Sequence, residues 1–386
     1  MTPRCRQFLR GWHSGSVGSH VVKVFLCGDV MTGRGVDQIL PHPGDPRLRE
    51  AYVSDARAYV RLAQSVAGPI PQPAGFGWPW GDALAVLDHF SPHVRVINLE
   101  TSITRSSDFA PGKTVHYRMN PANIACLAAA RPDACALANN HTLDFGRRGL
   151  AETLAALSGA ALWPVGAGQD PDSAQAPAVI GVPGDSRVLV FSCGARSSGI
   201  PSGWAVTASR AGVDLLPDET ESAAGRLIGR IQHAKRPRDI AVVSLHWGSN
   251  WGYDVPAGQV RFAHRLIDGG ADLIHGHSSH HPRPIEVYRG KLILYGCGDC
   301  IDDYEGIAGR EEYRDDLRLL YFAAIGPDTG TLAGLRMVPM KARRMRLEHA
   351  TATDAVWLAT VLQRISHRFG THVESGPDGL LTLRLH

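Results

Sequence analysis

The feature that most constrains the fold is an alternation of short apolar runs with amphipathic stretches. "VVKVFLCGDV" (21–30), "VRVINLE" (94–100), "ACALANNH" (134–141), "RVLVFSCG" (187–194), "IAVVSLHWG" (240–248) and "DLIHGH" (272–277) read as buried strands, since each is too short for a buried helix. Among them "WGDALAVLDHF" (80–90), "NIACLAAARP" (123–132), "RGLAETLAALSGA" (148–160) and "GQVRFAHRLIDGG" (258–270) read as helices, the last stopped by its glycines. "IEVYRGKLILYGCGD" (285–299) reads as a hairpin turning near Arg289 and Gly290. "LRLLYFAAI" (317–325) and "LAGLRMVPMKARRMRLE" (332–348) continue the sheet, "TDAVWLATVLQRISHRFG" (353–370) closes it as a helix, and a tail hairpin turns around Pro377, Asp378 and Gly379. A β-α order followed by a β-rich half predicts α/β layers with sheets at the centre.

At 386 residues, 44% hydrophobic and 20% charged, the chain can bury one large core or two smaller ones. No internal repeat or low-complexity linker divides it. Residues 1–21 read as a disordered lead-in, basic but without the apolar stretch of a signal peptide. Residues 22–348 read as one domain, and 349–386 as a helix and tail packing on it. No window reaches about 18 uncharged apolar residues, so no membrane span is expected. That predicts a cytoplasmic protein, with peripheral association with the envelope left open. The net charge of +3 is spread without a basic stripe interleaved with aromatics, so nucleic acid is not an expected partner. Cys297 and Cys300 form a C-x-x-C, but no second pair stands at zinc-binding spacing. The seven cysteines, several inside apolar runs, fit reduced buried thiols.

Five strands end in residues that a fold alone does not require: Asp29; Asn98 and Glu100; Asn139, Asn140 and His141; His246; and His277 with His280. In an open α/β sheet the carboxyl ends of strands are where ligands bind. Each motif singly has a structural explanation: a turn cap, an Asx turn, a satisfied core histidine, a surface histidine tract. Five together, each at a strand end, do not share one. Carboxylates, an amide oxygen and imidazoles form a ligand set suited to Mn, Fe, Zn, Co or Ca.

In this order, "GDVMTGR" (28–34), "NLET" (98–101), "NNHTLDFG" (139–146), "HWG" (246–248), "GHSSH" (276–280) and "YGCGD" (295–299) resemble the CapA family of bacterial capsule and poly-gamma-glutamate synthesis proteins. That family looks like a branch of the calcineurin-like metallophosphatases. The run "GRGVDQILPHPGDPRL" (33–48) is similar to polyglutamine synthesis accessory proteins. The resemblance covers roughly residues 22–345 and implies a four-layer α-β-β-α sandwich with one or two divalent metals (Mn, Zn, Fe or Ca). It implies that Asp29 binds one metal, that Glu100 is the bridging carboxylate, that Asn140 and His246 bind the second metal, that His277 joins them, and that His280 returns to the first. His141 would be a general acid, oriented by Asp144. The wider phosphatase pattern opens D-x-H and closes G-H-x-H. Here Met31 takes the third position and the spacing is G-H-x-x-H, leaving the first metal short of a ligand. The membrane anchor of polymer-export members is also not seen, so direct capsule anchoring is not expected.

Such a site can polarise a phosphoryl or carbonyl oxygen. Three functions are open: a hydrolase or transferase on a glutamyl or glutaminyl polymer or its phosphorylated precursor; a peptide epimerase, with one histidine removing an α-proton and another group returning it; or a non-catalytic accessory to polymer synthesis. The expected partner is a peptide or glutamyl-polymer substrate. Trp247, Trp251 and Tyr253 read either as cleft-lining or as core and rim residues. Arg34 reads either as a fork for a carboxylate or phosphate, or as half of a salt bridge. His275 and His281 stay outside the ligand set, and Asp299, Asp302 and Asp303 read as capping or supporting chemistry.

Overall fold

The computed structural model describes residues 21–385; apart from Val21, the lead-in expected over 1–21 lies outside them. Two mixed sheets form the body, one of ten strands and one of seven. In the larger sheet Val22–Val30 is central. It runs parallel to Val94–Leu99, antiparallel to Leu317–Ile325, and near its end parallel to Asp299–Ile301. In the smaller sheet Ile240–His246 is central, parallel to both Ser186–Ala195 and Leu273–His277.

Strand alternation sorts the side chains into three cores. Val22, Val24 and Leu26 face the other sheet and pack with Val188, Val190, Ile240 and Val242. Phe25 and Cys27 face the opposite way, onto helical residues Val36, Val60, Leu87 and Leu150. On the smaller sheet, Leu189, Phe191, Ala241 and Val243 face outward onto Leu227, Ile231, Phe262 and Leu266. Helix, sheet, sheet and helix therefore stack in that order: the four-layer α-β-β-α sandwich that the resemblance implied. The two sheets also touch through a polar link, His275 Nε2 lying 2.8 Å from the Cys27 carbonyl oxygen. His275 is thus an inter-sheet core residue.

The helices follow from their apolar stripes. Ala257–Asp268 buries Gln259, Phe262, Ala263, Leu266 and Ile267, one face of a 3.6-residue period. Ala352–Ser366 opens with a capping box between Thr351 and Asp354, and its Leu358 and Leu362 join the inter-sheet core. No helix among the described residues is long and apolar enough to cross a membrane.

Two expected elements are shorter than the sequence suggested. The helix over 123–132 is reduced to Ala125–Ala128, because Pro132 bars continuation and Arg131 adopts a φ of 52°. The strand over 134–141 stops at Ala136. Beyond it side chains take over the backbone's partners: Asn139 Nδ2 donates to the Leu99 carbonyl at 2.9 Å, and Asn139 Oδ1 accepts from His141 N at 3.1 Å. That turn presents Asn140 and His141 at the strand end. The helices Arg57–Ala67 and Glu221–Ala234 escaped the sequence reading. The first buries only Tyr59, Val60 and Ala63, too narrow a stripe to stand out.

Candidate metal centre

The site grows from strand register. In the larger sheet Asp29 pairs with Asn98 on one side and Asp299 on the other, making a row of three polar residues across parallel strands. In the smaller sheet His246 pairs with His277. Regular alternation would turn Asp29 toward the helices with Phe25 and Cys27. An irregularity between Leu26 and Asp29 re-aims it inward. Gly28 permits this: a Cβ there would lie 1.6 Å from the Gly298 carbonyl oxygen. The two rows then face each other, His277 Nδ1 lying 4.0 Å from Asp29 Oδ1.

Past His277 the chain turns through Ser278 at φ 99°, a conformation L residues rarely adopt. The Ser278 N–H points at Asp29 Oδ2, 3.3 Å away. The turn brings His280 back, its Nδ1 2.9 Å from Asp299 Oδ1 and its Nε2 3.0 Å from Asn250 Nδ2. His246 Nδ1 lies 2.8 Å from His277 Nδ1, and His246 Nε2 lies 2.9 Å from Asn140 Oδ1.

Two buried groups of three result. Asp29, His246 and His277 each offer a ligand atom within 4.8 Å of the others, and so do Asp29, His280 and Asp299. Asp29 belongs to both. Glu100, the bridging carboxylate that the resemblance implies, stands against the same centre: its side chain is hydrogen-bonded with Asp29, and its Oε1 lies 3.8 Å from His246 Nε2 and 3.7 Å from His141 Nε2. Asp299, read from sequence as supporting chemistry, stands among the candidate ligands.

The electrostatics fit a cation. Burial, then the charge of Asp299, pushes Asp29 up to about 7. Burial, then Asp29, raises Glu100 well above the usual carboxylate range. Asp299 Oδ2 is buried with no hydrogen-bond partner. A divalent ion would offset this crowding and occupy that oxygen. Burial also holds His246 and His277 well below the ordinary imidazole value. Neutral rings are what metal coordination requires.

His141 stands beside these groups but belongs to neither. Its Nδ1 lies 2.6 Å from Asp144 Oδ2, which also accepts the Tyr117 N–H at 2.7 Å. The Tyr117 ring meets the imidazole edge-on at 4.5 Å. Burial, opposed by Asp144 and aided by Lys113, brings His141 down to about 4. Lys113 had no signal in the sequence. It lies in an irregular loop and reaches the site only through the fold, pairing with Asp144 Oδ1 at 2.6 Å.

Three residues expected at a substrate cleft separate. The fork of Arg34 is consumed within the protein: Nε and Nη2 bond Asp303, and Nη1 bonds Glu50 at 2.9 Å and Tyr59 at 3.2 Å. With every nitrogen engaged, the salt-bridge alternative replaces the ligand-binding one. Trp247 is 2% exposed, donates to the Tyr295 carbonyl at 3.0 Å and packs on Phe262, so it is core. Trp251 is at the rim, 5.3 Å from the His280 ring with Arg310 4.9 Å above it. Trp247→Ala is accordingly expected to cost about 3–5 kcal/mol in a denaturant melt. Trp251→Ala, half-buried against His280, His281 and Tyr313, is expected to cost less, about 1 kcal/mol. Equal losses would show that both are core.

Comparison with known proteins follows the same line. A family model described as bacterial capsule synthesis protein PGA_cap matches residues 23–304. Proteins named probable polyglutamine synthesis accessory protein, from two strains of Mycobacterium tuberculosis, are each 56% identical over 362 residues, covering 94% of this chain and 95% of theirs. The PGA biosynthesis protein CapA of Bacillus subtilis is 32% identical over 284 residues, 73% of this chain and 64% of its own. A solved structure titled a novel phosphatase, from Mycoplasma pneumoniae, aligns with a TM-score of 0.44 at 10% identity over 84% of this chain and 95% of that one, a likeness too loose to bear on activity.

Proposed function

The chain belongs to the PGA_cap family of bacterial capsule synthesis proteins, and from that premise we propose that it is a metal-dependent enzyme acting by hydrolysis or transfer on a glutamyl or glutaminyl polymer, or on its phosphorylated precursor. One observation carries the enzymatic part: two ligand groups share Asp29 and sit beside a non-ligand histidine backed by a carboxylate. A structural metal site is closed by protein ligands and needs no such neighbour. The substrate class rests on the names of the relatives, which refer to polyglutamine and PGA synthesis.

Asp29, His246 and His277 would hold one ion, with Asn140 beside them, and Asp29, His280 and Asp299 a second. Mn, Zn, Fe and Ca all suit the donors. When bound, such a metal polarises a carbonyl or phosphoryl oxygen and acidifies water. The chain itself supplies the rest. Asp144 fixes the His141 ring, so that Nε2 faces the centre as the proton-transfer atom. Trp251 and Arg310 offer a face and a charge for an extended anionic chain.

A second reading, a peptide epimerase, draws support from His141, a non-ligand ring whose Nε2 faces the centre. That ring would remove an α-proton and another group return it. The first test is elemental analysis of protein purified without added metal, expected to give about one or two equivalents per chain. Next, polyglutamine, polyglutamate, phosphoesters and peptides are incubated in deuterated water and read by mass spectrometry. Shortened polymer or released phosphate supports the hydrolase. Deuterium at Cα without cleavage moves the reading to the epimerase. No metal and no turnover leaves a non-catalytic accessory.

A further inference from the structure

We infer that Lys113 is a positioning residue of this centre, which locks the His141 ring and the Asn140 turn into one arrangement. The inference rests on the metal-dependent reading above, in which His141 moves a proton. Lys113 lies in the irregular loop that follows the short strand Ser102–Ile103, and none of the strand-end motifs includes it. Its ammonium makes three contacts. One is the 2.6 Å ion pair with Asp144 Oδ1. The second is a hydrogen bond to the backbone carbonyl of Asn140. The third is with the ring itself, His141 Nδ1 lying 3.3 Å away. The Trp204 ring lies 5.1 Å away on its outer side.

The partners decide what the contacts do. Asp144 is wholly buried, and its Oδ2 already receives the Tyr117 N–H. Paired with Lys113 on Oδ1, the carboxylate accepts at Oδ2, and its 2.6 Å approach to His141 Nδ1, closer than the 3.3 Å of the ammonium, draws the Nδ1 hydrogen toward Oδ2. That leaves Nε2 bare and facing the centre, 3.7 Å from Glu100 Oε1. The bond to the Asn140 carbonyl fixes the same turn from its other side. Asn140 Oδ1 is the atom that meets His246 Nε2 at 2.9 Å. One ammonium therefore holds both the proton-transfer ring and a candidate ligand in register. A lysine is suited to this: it is a compact charge with three donors that can serve two oxygens at once.

The test compares Lys113→Met, which keeps the stem and removes the charge, with Lys113→Arg. Histidine-selective ¹⁵N labelling of the full chain reads the His141 ring, assigned by loss of its signals in His141→Gln. Wild type is expected to show one protonated Nδ1 and one bare Nε2. Lys113→Met is expected to lose that single-tautomer pattern while remaining folded. It should lower kcat by about 10- to 100-fold with KM within about threefold, and Lys113→Arg should restore the pattern and most of kcat. The nitrogen spectra are recorded before and after Zn titration, so they score Lys113 whether or not the centre takes up metal. An unchanged His141 spectrum in folded Lys113→Met overturns the inference. So does a loss in Lys113→Met that Lys113→Arg does not recover.

Discussion

Asp29→Ala is expected to abolish metal uptake at both groups at once, whereas His277→Ala and His280→Ala each remove one. The expectation comes from register. Asp29 lies between Asn98 and Asp299 in its own sheet and opposite His277 of the other, so its two oxygens face both ligand groups. Neither His277 nor His280 is shared in this way. Titration followed by elemental analysis should show about two equivalents falling to none for Asp29→Ala and to one for either histidine variant, with affinity at each affected group down by at least ~100-fold. Stability of the metal-free protein supplies the control. Burial and Asp299 oppose the Asp29 charge, whereas Asn98 Nδ2 donates to its Oδ1 at 2.7 Å, so the variant relieves repulsion and also leaves a buried donor without its partner. The melt of metal-free Asp29→Ala is therefore recorded beside wild type, and the loss of metal is scored on protein shown to be folded. If Asp29→Ala still binds one full equivalent, the shared-carboxylate arrangement is wrong. If His277→Ala alone loses everything, the centre holds a single ion.

Much of this centre was legible in the sequence because strand-end residues announce themselves. An apolar run that closes on Asp29, His246 or His277 places each at the carboxyl edge of a sheet before any coordinates exist. Sheets covered by other layers follow from the same runs, since strands such as Ser186–Ala195 and Ile240–His246 bury both faces and so need a layer on each side, whereas the four-layer order was implied by the family resemblance. What was not legible depends on register between distant strands. Asp299 becomes a candidate ligand because Asp299–Ile301 pairs in parallel with the end of Val22–Val30, a contact made across more than two hundred residues of chain. Nothing local separates it from Asp302 and Asp303, which serve instead as partners for Arg318 and Arg34. The irregularity that re-aims Asp29 is silent in the sequence in the same way; only Gly28 hints at it. Trp247 and Trp251 are four residues apart with the same chemistry, and one becomes core and the other rim because the strand ends at His246 between layers that only the fold defines. Lys113 is the extreme case, a single cation in a loop whose meaning is set entirely by where the loop lands.

His141→Ala is expected to keep the metal and lose the reaction. His141 belongs to neither ligand group, and its Nδ1 is already committed to Asp144, so removing the ring takes nothing from Asp29, His246, His277, His280 or Asp299. What it takes is the nitrogen that faces the centre. A positioned proton-transfer group is worth about 10²- to 10⁴-fold, and kcat on whichever substrate the chain turns over should fall by that factor while metal content stays at the wild-type level. The vacated space lies beside Asp144 and Lys113 and is lined on one side by Tyr117, close to the size of the ring removed. Added imidazole should therefore restore part of the rate in His141→Ala, and should do nothing for Asp144→Ala, where the ring is present but unanchored. That asymmetry separates chemistry from packing, because a merely structural histidine would show a lowered melt and no response to imidazole. Full turnover in His141→Ala would remove the residue from the reaction.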